Sequence, residues 1–172
     1  VSHLLNYLYS KNNEQLYNFK NNEYNINNNL SLLISTNSHP NIFKIQKKKD
    51  KKIIDIDQIR EMIQFTNQTS FNNERKFIII EDINLLGINS ANALLKSIEE
   101  PNNKTYYILI NNSEFKILET IRSRCLEFKL SLNNLEAIEI VNYYFNSDKY
   151  NDINLDFINN YNSPSFLISL VN

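Results

Sequence analysis

The stretch KFIIIEDINLLGINSANALLKSIEEPNNKTYYILIN, residues 76–111, decides the fold. It opens on an unbroken apolar run, Phe77 to Ile80, that ends in two carboxylates, Glu81-Asp82. A continuous run of this kind suits a strand covered on both faces, and therefore a parallel sheet lying between helices. Residues 89–100 read as one helix, with Asn89 or Ser90 as its cap and Pro101 as its stop. TYYILIN, 105–111, reads as a second buried strand with a polar end. The chain has three alanines, and two of them, Ala91 and Ala93, fall on one turn of that helix. Small residues there allow another element to approach closely. Asn92 and Lys96, four apart on one face, are placed to meet a partner.

Outward from this stretch, strands and helices alternate. NIFKI, 41–45, alternates in period two behind Pro40 and reads as a strand. QKKKDKK, 46–52, reads as a solvated charged loop. Ile56, Ile59, Met62 and Ile63 form an apolar stripe on a helix capped by Asp55 or Asp57. Residues 113–125 read as a short helix and turn, and CLEFKL, 125–130, alternates as a third strand near this region. At the start, Leu4, Leu5, Leu8, Leu16 and Phe19 recur near helical spacing, which predicts a helix over 2–19. Residues 20–29, polar and Asn-rich, read as a loop. LSLLI, 30–34, is apolar without a decisive period. From Asn133 onward the strand signal stops: NNLEAIEIVNYYF, LDFINNY and SPSFLISLV read as helices, the last with Ser163 as cap and Pro164 at its first position. The expected domains are therefore an α/β domain over 1–131 and a helical one over 132–172.

Bulk composition excludes several classes. A net charge of −1 over 172 residues provides no overall basic field to draw the protein onto nucleic acid. The single cysteine, Cys125, permits no internal disulfide and no cysteine-based zinc cluster, and His3 and His39 are distant from it. No metal site is expected. A cytoplasmic location fits this cysteine usage, and no apolar run approaches the ~20 residues of a membrane span. Asn, Ile, Lys, Tyr and Phe are abundant while Gly, Ala, Pro and Arg are scarce, as an AT-rich genome would produce. That bias weakens composition as evidence and sharpens the positions that resist it, Ala91 and Ala93 among them.

In open parallel sheets ligands bind outside the carboxyl ends of strands. Glu81-Asp82 lie at one such end and Asn111-Asn112 at another. An apolar strand followed by acidic residues is the pattern that holds Mg²⁺ in P-loop NTPases. Taken alone it equally describes a helix cap or a solvated turn.

Taken together, IIIED (78–82), SANALLKSIEEP (90–101), ILINN (108–112) and TIRSRC (120–125), with SHPN (38–41) and IDQIREM (56–62) upstream, resemble the AAA+ subunits of the bacterial DNA polymerase III clamp loader. The resemblance covers roughly residues 37–132 and is closest to the delta-prime type, with gamma/tau second. It implies a three-layer AAA+ (P-loop NTPase-like) parallel sheet domain followed by the start of a small helical lid. It also implies that the helix carrying Ala91 and Ala93 packs beside the nucleotide site and the neighbouring subunit. Glu81 and Asp82 take the place of a degenerate Walker B, and Asn111 and Asn112 that of sensor 1. Arg124, the arginine of SRC, becomes an arginine finger acting in trans on a neighbour's ATP. Guanidinium suits that role because it is always charged and its fork matches phosphate oxygens. From the residues alone Arg124 reads as a surface ion pair, with Glu127 near in sequence.

The departures from the family carry equal weight. GxxxxGK[ST] is absent, and the one glycine, Gly87, makes no phosphate cradle. The usual Asp-Glu order is reversed at Glu81-Asp82. The zinc-binding cysteines of many relatives are replaced by the Asn-rich segment 20–29. The expectation is a piece of a longer chain that begins just after a P-loop's place. No cofactor belongs to this chain itself, ATP and Mg²⁺ being held by neighbouring subunits. The implied partners are the gamma/tau and delta subunits, with the sliding clamp and primer-template DNA reached through the assembly. Two alternatives stand beside this reading: an ATP-hydrolysing gamma/tau-type subunit, and an AAA+-like interaction domain unconnected with replication.

Overall fold

The computed structural model describes residues 1–11, 13–111, 115–130, 133, 136, 139 and 140. The chain divides into two compact units, Val1–Leu126 and Glu127–Asn172.

The first unit is built on a three-stranded parallel sheet, β3 (Ile42–Ile45), β4 (Lys76–Ile80) and β5 (Thr105–Leu109), in the order β3-β4-β5. Register is Ile42 against Phe77 and Lys76 against Thr105. All five residues of β4 are buried, as a strand flanked by strands and covered by helices must be. Its two faces feed separate cores. Ile78 and Ile80, with Ile45, pack on Ile59 and Met62 of α3 (Ile56–Asn67), Ala91 and Leu94 of α4 (Ile88–Glu99), and Ile121 of α5 (Glu119–Arg122). Phe77 and Ile79 pack on Leu5 and Tyr9 of α1 (Ser2–Tyr9) and on Ile34 of α2 (Asn29–Ser35). The expected layers, helix on sheet on helix, follow from this period-two division.

Lys76 begins β4 on the α3 side and is buried, and among the described residues its ammonium is held by carbonyls. Its ammonium donates to the carbonyls of Phe65 (2.7 Å) and Gln68 and lies 4.7 Å from the Phe65 ring. It thereby satisfies acceptors at the C-terminal end of α3, where the helix dipole is negative. Burial pushes the Lys76 pKa down.

Several expected elements differ. The helix expected over 2–19 ends at Tyr9. A short antiparallel hairpin, β1 (Tyr17–Asn18) and β2 (Glu23–Tyr24), follows it. Tyr17 is drawn out of the helical pattern because its ring is buried among His3, Tyr7 and Phe19, and its hydroxyl meets His3 Nε2 at 2.6 Å. LSLLI belongs to α2, whose N-cap Asn28 accepts from Ser31 N. The cap of α4 is Gly87, not Asn89 or Ser90, and helix and cap bound Ile88–Glu99. The Ser90 hydroxyl instead donates across to the Ile54 carbonyl (3.0 Å), so tertiary structure takes the side chain that local capping would have used. Gly87 sits where a Cβ would lie 3.3 Å from Ile53 Cδ1.

The third strand expected at 125–130 is not formed. Leu126, Phe128 and Leu130 are 87%, 82% and 98% exposed, and no strand pairs with this segment among the described residues. Alternation supplies a face, but a strand also needs a neighbour to take its hydrogen bonds. The helix expected over 113–125 is confined to Glu119–Arg122, with residues 112–114 outside the described set.

In the second unit, Asn133 and Glu136 exchange side-chain-to-backbone hydrogen bonds, Asn133 N to Glu136 Oε2 (2.8 Å) and Glu136 N to Asn133 Oδ1 (2.9 Å). This is a reciprocal N-cap. The helices expected at LDFINNY and SPSFLISLV, and most of NNLEAIEIVNYYF, lie outside the described residues.

Candidate functional site

The carboxyl ends of β4 and β5 gather three of the expected site residues. Glu81 follows β4, and its backbone N–H donates to the Ile45 carbonyl. Its carboxylate pairs with the ammonium of Lys44 on β3 at 2.9 Å, both side chains about 70% covered. Sequence reasoning missed this partner, whose signal was a lone lysine inside the otherwise apolar IFKI. The pair matters chemically: a cation approaching Glu81 has to compete with Lys44 for the carboxylate.

Asp82 adopts the left-handed conformation (φ 52°, ψ 55°), which Asp tolerates better than most residues. It opens a one-turn 3₁₀ segment, Ile83–Leu85, its carbonyl accepting from Leu85 N. Asn111 extends from β5, and its side-chain amide donates to the Phe115 carbonyl (2.8 Å). The two strand ends are stitched by Ile110 N to Ile80 O (2.9 Å) and Ile83 N to Ile110 O (3.0 Å). Asp82 and Asn111 are therefore on adjoining turns. Asn112 lies outside the described residues.

Arg124 is somewhere else. From the acidic strand end, α4 returns the chain to the start of β5, and its 12 residues span roughly 18 Å. Arg124 sits on the turn after α5, against the far end of α4. Its Nη2 is 2.7 Å from Glu99 Oε1, and its Nη1 donates to the Thr120 carbonyl (2.8 Å) and the Ser123 hydroxyl (3.3 Å). The expected surface ion pair exists, with Glu99 of the SIEEP segment as the partner. Arg124 thus lies at the opposite end of α4 from its own chain's Glu81 and Asp82.

Two marker motifs are structural. In SHPN, Asn41 is fully buried; its side chain accepts from Phe71 N (2.7 Å) and donates to Phe71 O (3.0 Å), while its carbonyl accepts from Phe77 N. His39 Nδ1 accepts from Asn41 N, its ring lies 4.4 Å from Tyr9, and burial lowers its pKa against an opposing pull from Glu74. In SANALLKSIEEP, Ala91 is fully buried in the core. Ala93, Asn92 and Lys96 line an open groove shared with Ile63 and Thr66 of α3. Among the described residues no group of three or more His, Cys, Asp or Glu is arranged to hold a metal, and no helix is long and apolar enough to cross a membrane.

A parallel three-stranded sheet between helices, with an acid-ended central strand, defines a layered α/β domain. The fold is shared with the DNA polymerase III gamma subunit-related protein of Thermotoga maritima, at a TM-score of 0.52 and 23% identity, over 66% of this chain and 40% of that one. The DNA polymerase III subunit delta' of Pseudomonas aeruginosa is 37% identical over 95 residues, 55% of this chain and 29% of the relative. The DNA polymerase III subunit gamma of Buchnera aphidicola (subsp. Schizaphis graminum) is 39% identical over 83 residues, 48% and 23% respectively. The chain spans less than a third of the length of either relative. The family model described as "DNA polymerase III, delta subunit" matches residues 10–134, and the chain belongs to that family. The reading as an interaction domain unconnected with this polymerase is thereby set aside.

Proposed function

We propose that this chain is the sheet-domain portion of a delta-prime-type clamp-loader subunit: a non-hydrolysing stator that presents Arg124 to ATP held by a neighbouring ATPase subunit. The assembly, with gamma/tau and delta, places a sliding clamp on primer-template DNA in the cytoplasm. The observation that carries this reading is the separation of Arg124 from the acidic strand end of its own chain. A guanidinium at the far end of α4 is placed to serve phosphates held by another subunit. The Glu81–Lys44 pair supports a degenerate site here. Glu81, Asp82, Asn111 and Asn112 then keep the position of a Walker B and sensor 1 without their chemistry. The match to a gamma subunit favours a second reading, an ATP-hydrolysing gamma/tau-type subunit, which an intact GxxxxGK[ST] upstream of Val1 in the full-length sequence would establish.

The test is Arg124→Ala in the full-length subunit assembled with its ATPase partners. DNA- and clamp-stimulated ATP hydrolysis should fall by about an order of magnitude or more, a threshold set below the ~10³–10⁵ that such fingers can supply. The melting temperature of the subunit should stay within about one or two degrees, because an exposed pair contributes little. Arg124→Lys should rescue poorly, keeping the charge and losing the fork. Full-rate hydrolysis in the Ala variant defeats the stator reading. The 172-residue chain alone should show no micromolar ATP affinity by calorimetry, and such affinity would remove the degenerate-site argument.

A further inference from the structure

We infer that Glu99 is a positioning residue that holds Arg124 in reserve and releases it only to a stronger anion. The inference rests on the finger reading above and adds its regulation. Two terminal nitrogens of the guanidinium are engaged within the chain, Nη2 by Glu99 and Nη1 by Thr120 O and the Ser123 hydroxyl. Arg124 is therefore held before any neighbour is reached.

The placement of Glu99 explains the hold. Glu99 is the last residue of α4, and Glu100 follows it. A carboxylate at a helix C-terminus faces the negative end of the dipole and is unfavourable there. The Arg124 guanidinium relieves that position. The carboxylate in turn offers the paired oxygens that the fork prefers, which a phosphate offers with more charge.

Exposure sets the strength of the hold. The side chains of Arg124 and Glu99 are 39% and 46% exposed. A buried pair would be locked, because separating it strands a desolvated charge. A pair this wet opens easily and is weakened by salt. It acts as a latch: Arg124 rests on Glu99 until a neighbour's phosphates displace the carboxylate, and it returns when they leave. Glu99 thereby raises the threshold for the finger's action and suppresses idle hydrolysis.

The experiment uses the full-length subunit assembled with its ATPase partners, with ATP as the probe and neither DNA nor clamp present. Glu99→Gln keeps the shape and removes the charge. It should raise basal ATP hydrolysis roughly two- to fivefold, the scale of one exposed ion pair. Glu99→Ala should do the same, which guards against a misfolded Gln variant. The rise should vanish when Arg124→Ala is also present, and the ratio of variant to parent should shrink as salt increases. A merely structural glutamate would produce neither the dependence on Arg124 nor the salt trend. If Arg124→Ala slows stimulated hydrolysis but both Glu99 variants keep or lower the basal rate, the latch is wrong and the finger stands. If Arg124→Ala leaves the stimulated rate unchanged, the finger reading fails and the latch with it.

Discussion

Lys76–Ile80 and Cys125–Leu130 both carry apolar patterns that predict strands, and only the first of the two is a strand. Lys76–Ile80 forms β4, with β3 on one side and β5 on the other, and every residue is buried. Cys125–Leu130 alternates cleanly, yet Leu126, Phe128 and Leu130 are exposed and no described strand pairs with it. The difference is not apolar content, since both are rich in large apolar residues. It is whether neighbours take the backbone hydrogen bonds and helices cover the faces. A strand is a property of a sheet, and period two in a sequence reports only which face would be buried if a sheet were there.

The largest expected effect lies in β4. Ile78 is 0% exposed and packs in the core shared with α3, α4 and α5. Ile78→Ala should lower unfolding free energy by about 2–5 kcal/mol, the transfer loss plus the cavity. Urea denaturation measures it. A loss below about 1 kcal/mol would mean that β4 is less tightly enclosed than its burial indicates, and the contrast between the two segments would collapse.

A middle-sized effect concerns the start of the sheet. His39 is held neutral by burial, and the Glu74 carboxylate opposes that lowering only in part. With the folded pKa below 6.5, the unfolded chain binds more protons between the two values. Stability from the neutral imidazole is therefore present above pH 6.5 and lost as pH falls through the folded pKa. The slope is at most about 1.4 kcal/mol per pH unit. His39→Asn keeps an acceptor for Asn41 N and removes the titration. Between pH 7.5 and 5 the parent should lose more stability than the variant, compared by denaturation at each pH. Parallel losses would show that His39 titrates as it does in the unfolded chain.

Much of this was legible from residue types. The three parallel strands and the two long helices follow from Ile42–Ile45, Ile56–Ile63, Phe77–Ile80, Pro101 and Thr105–Leu109, where local pattern and tertiary packing agree. The hairpin at 17–24 was hidden because Leu16 and Phe19 continue a helical period, and Tyr17 is placed by rings fourteen and ten residues away. The Asn-rich stretch 20–29 read as a loop, and asparagines at its start make turns: Asn18 Oδ1, just before it, accepts from Lys20 N and Asn21 N, and Asn22 takes a positive φ. At the candidate site the acidic strand end was readable, whereas Lys44 beside Glu81 and Glu99 beside Arg124 were not. Both partners come from other elements, and nothing in local spacing links them.

The smallest expected effect is the one that completes the comparison. Among the described residues Phe128 is 82% exposed, stands in no strand ladder and is in neither core cluster. Replacing it with Ser removes a large apolar side chain that water already reaches, so almost no buried surface is lost. Phe128→Ser should therefore change unfolding free energy by no more than about 0.5 kcal/mol, as surface substitutions do. The denaturant slope should also be unchanged, because the area exposed on unfolding is the same. The same ring at Phe77, buried between α1 and the sheet, would cost about 3–5 kcal/mol on truncation to Ala. The contrast is sharp because residue type is held constant while enclosure varies. A loss at Phe128 approaching that at Phe77 would mean that 125–130 is enclosed in the folded protein, and the sequence pattern, not the exposed segment, would then describe it.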